Sequence, residues 1–121
     1  MQLQTELVQE FAAYSTRPPI GAERRTAPRF ASLAVADLYQ IEGGAVQPPV
    51  KAAVRDVSAN GIGIYQTECM SEGQQFIISL PRQGAKPLQI LCVVVRTYPI
   101  AEKLFVTGAS FMALAEARTA S

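Results

Sequence analysis

VKAAVRDVSANGIGIY, residues 50–65, reads as two strands and the turn between them. Val50, Ala52 and Val54 alternate with Lys51, Ala53 and Arg55, the period-two pattern of a half-buried strand. Gly61-Ile-Gly-Ile-Tyr65 has the same period, and Asp56–Gly61 between the two runs holds the short polar residues and glycine of a turn. The pattern extends in both directions. Upstream, Phe30–Gln40 is a β-compatible apolar run, and Gly43-Gly44 and Pro48-Pro49 bracket the loop that follows it. Downstream, Gly73 precedes a strand with Phe76, Ile78 and Leu80 on one face. Pro81–Pro87 is a turn-rich break. Leu88–Thr97 is apolar on both faces in its middle, which predicts a central strand, and Leu104–Met112 completes the set. Six short strands, with turn signals about every 8–15 residues, predict an antiparallel barrel or sandwich. A barrel has the advantage that closure removes exposed strand edges.

The ends read differently. In residues 1–14, Leu3, Leu7, Val8, Phe11 and Tyr14 recur at spacings of three and four, which predicts an amphipathic helix. So short a helix is marginal alone and must dock, either on its own barrel or on a second copy of the chain. Residues 15–29, STRPPIGAERRTAPR, carry three prolines and a glycine and are expected to lack regular structure. Ala113–Thr119 predicts a short C-terminal helix. The expected organisation is thus a helix over 1–14, a basic arm over 15–29, and a barrel with its terminal helix over 30–121.

Composition narrows the function. A chain of 121 residues, 49% hydrophobic, is one domain with enough apolar residues for a core. Eleven Lys+Arg against ten Asp+Glu exclude a bulk polybasic nucleic-acid binder. The average hides a contrast: four arginines against one glutamate put +3 into residues 15–29 and leave a net −2 elsewhere. The absence of histidine excludes Ser–His–Asp and Cys–His catalysis and His-ligated metals, and no base–nucleophile pair emerges from Asp37, Asp56, Ser58 or the cysteines. A catalytic role is therefore not expected, nor is a cofactor. Cys69 and Cys92 match no metal spacing, and Cys92 reads as a buried free thiol. The longest apolar stretch, Ile90–Val95, is too short to span a membrane, and the N-terminus lacks the pattern of a signal peptide. A cytoplasmic protein is expected.

Two motifs carry recognition chemistry. Arg25-Thr-Ala-Pro-Arg29 sets two guanidiniums four residues apart on a segment that Pro28 biases toward extended backbone. Each guanidinium can pair bidentately with phosphate or with guanine O6/N7. Asp56-Val-Ser-Ala-Asn-Gly61 offers a carboxylate able to accept from guanine N1–H and N2–H, a hydroxyl, and a glycine that permits φ > 0 and close approach of a ligand. Taken singly, the first pattern is ordinary solvated charge and the second an ordinary Ser turn. Their order is informative: RxxxR stands directly before the first strand, and DxSxxG joins the second strand to the third.

In these features the sequence resembles the PilZ domain family, whose signatures are RxxxR and [D/N]xSxxG around a six-stranded antiparallel barrel. The resemblance runs from about Glu23 to Leu114 and includes Thr107-Gly-Ala-Ser-Phe111 in the last strand. It implies a mainly-β, split PilZ-type barrel that binds the bacterial second messenger cyclic di-GMP. Carried over residue by residue, Arg25 and Arg29 would grip guanine edges and phosphates, and Asp56, Ser58 and Gly61 would line the guanine site. Arg24, just before RxxxR, implies a stacked pair of ligands. The expected function is a cyclic di-GMP receptor or adaptor that couples ligand level to a downstream protein effector by ordering the N-terminal arm. Neither nucleic-acid binding nor membrane insertion is expected, and a homodimer is the second arrangement considered. Two other functions compete. One is an adaptor of the same fold that binds its protein partner without nucleotide. The other is an OB-like nucleic-acid-binding barrel, disfavoured because the aromatics do not cluster with the arginines.

Overall fold

The structure is a computed structural model that describes residues 1–3, 19–20, 29–31, 35–82 and 84–115, with 19–20 and 29–31 described by their backbone alone. The strands in chain order are β1 (Pro19–Ile20), β2 (Arg29–Ala31), β3 (Val35–Glu42), β4 (Ala45–Val46), β5 (Val50–Val57), β6 (Gly61–Gln66), β7 (Gln75–Leu80), β8 (Leu88–Ala101) and β9 (Leu104–Leu114). Six of them close a ring in the order β3-β5-β6-β9-β8-β7, with β7 pairing back onto β3 and every pairing antiparallel. This is the expected six-stranded barrel. The three two- or three-residue strands are additions to it: β4 is the return of a hairpin on β3, and β1 and β2 extend the sheet beyond β5.

The alternation in the sequence becomes the two faces of the barrel wall. Val54, Ile62, Ile64, Ile78, Ile90 and Phe111 point inward and are buried with Leu38, Phe76 and Cys92 in one core. Each fully buried Ile, Leu or Phe contributes about 1.5–3 kcal/mol, and both cysteines are free. Burial of Cys92 pushes its thiol up to about 12. Leu88–Thr97 lies within β8, which is paired on both sides, with β7 and with β9. Its inward residues Ile90, Cys92 and Val94 are buried, while Val95 on the outer face is exposed. Two strands are buried on both faces: β6, where Gly61 through Ile64 are buried, and β7, where Phe76 through Leu80 are.

One edge of β5 is divided between two partners. Its first half, Val50–Ala53, pairs with Leu38–Val35 of β3 and closes the barrel. Its end, Asp56–Val57, pairs instead with Ala31–Phe30 of β2. The chain thus leaves the barrel seam where β3 gives way to β2. Residues 15–29 were expected to lack regular structure, yet Pro19–Ile20 pairs with Phe30–Arg29. The proline is tolerated because β1 is the outermost strand of the sheet, where a missing N–H breaks no ladder.

Of the predicted helix over 1–14, residues 4–14 lie outside the described residues. Residues 1–3 dock on the barrel: Leu3 is buried in the core, its N–H donates to Ala59 O at 2.6 Å, and the Met1 ammonium donates to Phe111 O at 3.2 Å. At the other end, Ala113 and Leu114 belong to β9, paired with Leu91 and Ile90. They are strand rather than the start of a helix, and residues 116–121 lie outside the described residues. Among the described residues, no helix is long and apolar enough to cross a membrane.

Candidate functional site

The Asp56–Gly61 segment forms the tight connection between β5 and β6. Ser58 is 3% exposed, and its hydroxyl organises the turn. Ser58 Oγ accepts from the N–H of Gly61 at 3.2 Å and of Asn60 at 3.3 Å, and it donates to Gly61 O at 3.4 Å. The Ser58 N–H donates to the same carbonyl at 2.9 Å. Gly61 does not need positive φ, since the positive-φ glycines are Gly43, Gly44, Gly73 and Gly84. It is glycine because a Cβ there would collide with the carbonyl oxygen of Ala109 on β9. The close approach expected of this glycine is therefore made by a neighbouring strand.

Asp56 is fully buried, and its Oδ2 accepts from Arg55 Nε at 2.9 Å. Its Oδ1 lies over Gly63 of β6, only 2.7 Å from where a Cβ would stand. Gly63 thus clears the space that the carboxylate occupies. The strand alternation foreshadows this: Gly61 and Gly63 share the outer face, because Ile62 and Ile64 face the core.

The β2 ladder joins the two sequence motifs. Arg29 begins β2, and two residues later Ala31 is the Cα partner of Asp56. The end of RxxxR and the start of DxSxxG, far apart in sequence, therefore lie on adjacent strands. Arg24 and Arg25 lie outside the described residues.

Beside the turn stands a cluster that sequence reasoning did not single out. The register between β5 and β6 shifts between Val54 and Asp56, so Arg55 sits at a β-bulge, a device that re-aims a side chain. Its guanidinium donates through Nε to Asp56 and through Nη1 to the hydroxyl of Tyr98 on β8, at 3.0 Å. Strands β6 and β9 lie between β5 and β8, so Arg55 and Tyr98 meet over about 14 Å of sheet. Burial lowers the Arg55 pKa, but the hydrogen bonds to Asp56 and Tyr98 and the carboxylate charge outweigh it and leave it raised. Asp56, Gly63, Gly108 and Arg96 are successive cross-strand partners on this face, with the Asp56 carboxylate covering Gly63 and two glycines between the acid and the second arginine. The only sequence signal was the adjacency of Arg55 to Asp56. Tyr98 gave none, since nothing local says that a strand three places away will face it.

Chemically, the area offers a half-exposed guanidinium held by a buried carboxylate, an arrangement for recognition of an acceptor-rich molecule. Among the described residues, no group of three or more acidic, Cys or His side chains could hold a metal.

Comparison with known proteins fits this geometry. No curated protein sequence matches the chain. Among solved structures, it is similar to the Bacillus subtilis inhibitor of motility MotI/DgrA, with a TM-score of 0.52 and 21% identity. That likeness, which is one of fold, covers 76% of this chain and 44% of the other, so the chain spans less than half of that protein's length. Residues 23–118 match the PilZ domain, and with the barrel and both motifs in place the chain belongs to the PilZ domain family.

Proposed function

We propose that this PilZ domain is a cyclic di-GMP receptor that passes ligand occupancy to a protein partner. The observation that carries this is the β2–β5 ladder, which brings the strand begun by Arg29 against the one that holds Asp56. Arg25 and Arg29 supply guanidinium forks for guanine edges and phosphates, and Arg24 a third that favours a stacked pair of ligands. The Asp56–Gly61 turn forms the wall against which a guanine rests. Binding draws the arm onto the outer face of β5 and β6.

The turn is also the route outward. Ala59, within the motif, accepts the Leu3 N–H, and Leu3 is anchored in the core. A shift of the turn on binding is therefore felt by residues 1–3 and by the segment that follows them. Coupling to a partner, through a surface that this segment presents, follows the same path. Titration calorimetry with cyclic di-GMP tests the proposal: binding near the micromolar range, about −8 kcal/mol, is expected. A ratio of two supports the role of Arg24, and a ratio of one removes it. The arm's part is tested by amide exchange over residues 1–29, which should slow at saturating ligand.

A second reading, an adaptor that binds its partner without nucleotide, is favoured by the commitment of Asp56 and Ser58 to bonds within the chain. Absence of heat with cyclic di-GMP would select it.

A further inference from the structure

The carboxylate of the DxSxxG motif is fully buried, while the side chain it holds is not: Arg55 keeps 31% of its side-chain surface exposed. We propose that Arg55 is itself a ligand-contacting residue, a further guanidinium of the site that reads the O6/N7 edge of a guanine. This rests on the cyclic di-GMP reading and adds a residue outside both motifs to it.

Three observations carry the inference. First, Arg55 is held at both ends. Nε is bonded to Asp56 on its own strand and Nη1 to Tyr98 across the sheet. A guanidinium fixed in this way loses little freedom on binding. Second, donors remain. Of the five N–H groups of a guanidinium, one at Nε and one at Nη1 have these partners. Among the described residues, the others make no hydrogen bond. Both Nη2–H groups and one Nη1–H are therefore left to pair with the acceptors of a ligand. Third, the charge of Arg55 is offset by a neighbour. Asp56 sits 2.9 Å from Nε, and its carboxylate offsets the guanidinium charge and weakens its pull on a phosphate. The guanidinium N–H donors suit neutral acceptors instead, and on guanine O6 and N7 present two of them side by side.

Under this assignment Asp56 and Tyr98 are positioning residues, and the motif acid works partly through its neighbour. The test is calorimetry with cyclic di-GMP over a series of salt concentrations, on the wild type and on the Arg55→Ala, Tyr98→Phe and double variants. Arg55→Ala should weaken binding about tenfold, at the scale of a lost bidentate base contact. Its salt dependence should stay parallel to that of the wild type, because no phosphate contact is lost. Tyr98→Phe keeps the Arg55–Asp56 pair and should weaken binding two- to fivefold. It should have no further effect in the Arg55→Ala background. Wild-type affinity in Arg55→Ala, or tighter binding through a released Asp56, overturns the inference while the receptor reading stands. A clear flattening of the salt dependence in that variant overturns the base-edge assignment. No binding by the wild type overturns both. If Arg55→Ala does not fold, Tyr98→Phe decides alone: wild-type affinity there overturns the inference.

Discussion

Replacing Gly63 with alanine sets a methyl group 2.7 Å from Asp56 Oδ1 and 3.3 Å from its Cγ. Real Cβ atoms do not stand so close to a carboxylate, so one side must give. The carboxylate is fully buried and tied to Arg55, and β6 is held between β5 and β9, so neither moves freely. Overpacking of this kind costs about 1–3 kcal/mol. Alanine recovers about 0.4–1 kcal/mol of that by restricting the unfolded chain. A net loss of about 1–2 kcal/mol is expected, which for a domain of this size lowers the melting temperature by about 4–8 °C. Gly108→Ala on β9 is the control, since its nearest new neighbour is Arg96 Cγ at an ordinary 3.8 Å. Urea and thermal unfolding of both variants measure the difference. A cycle with Asp56→Ala isolates the cause, because the penalty at Gly63 should vanish once the carboxylate is gone. If Gly63→Ala is as stable as the wild type, or costs the same with and without Asp56, the account of the site's packing is wrong.

Arg25→Ala or Arg29→Ala should weaken cyclic di-GMP binding at least tenfold, about 1.4 kcal/mol, with an unchanged unfolding midpoint; unaltered calorimetric affinity would remove the arginine forks from the site. Leu3→Ala empties a core position that is 5% exposed and should cost about 2 kcal/mol in urea unfolding, whereas a wild-type midpoint would mean that residues 1–3 are not docked. Cys69 is exposed and Cys92 buried, so a thiol reagent at mild alkaline pH should modify one cysteine quickly and the second only on unfolding. Because burial raises the Cys92 thiol from 9.0 to about 12, the unfolded chain ionises first. Stability should therefore be intact below pH 9 and fall as pH rises from there toward 12. Cys92→Val should remove that part of the decline, and an identical alkaline profile in the variant would show that the thiol does not contribute.

The barrel was legible in the sequence because its wall has one wet face and one dry one. Val50–Arg55 and Gly61–Tyr65 could hardly be read as anything but paired strands, and the turn between them was identifiable from Ser58 and Gly61. The roles within that turn were less so. Chemistry suggested a glycine making room for a ligand, while the structure shows Gly61 making room for Ala109 O and Gly63 for Asp56. Both depend on which strand lies alongside, and β9 enters the chain more than forty residues later. Arg55 and Tyr98 were missed for the same reason: their contact spans strands β6 and β9, and sequence carries no local trace of sheet order. The N-terminal periodicity did announce Leu3 as apolar. That it would enter the barrel core beside the motif turn followed from the end of the barrel it reaches.

The divided edge of β5 has a consequence for how a domain of this kind can change. Four rungs with β3 close the barrel, and two separate rungs hold β2, the strand that carries the end of the arginine motif. Removing the second set leaves the first in place. Under the proposed receptor reading, affinity can thus drift through the arm over generations while the barrel's fold is left alone, and a chain that lost its ligand would still keep its shape. Under that reading sensing and folding are nearly separate traits, since among the described residues β2 pairs with the barrel wall only at Asp56 and Val57.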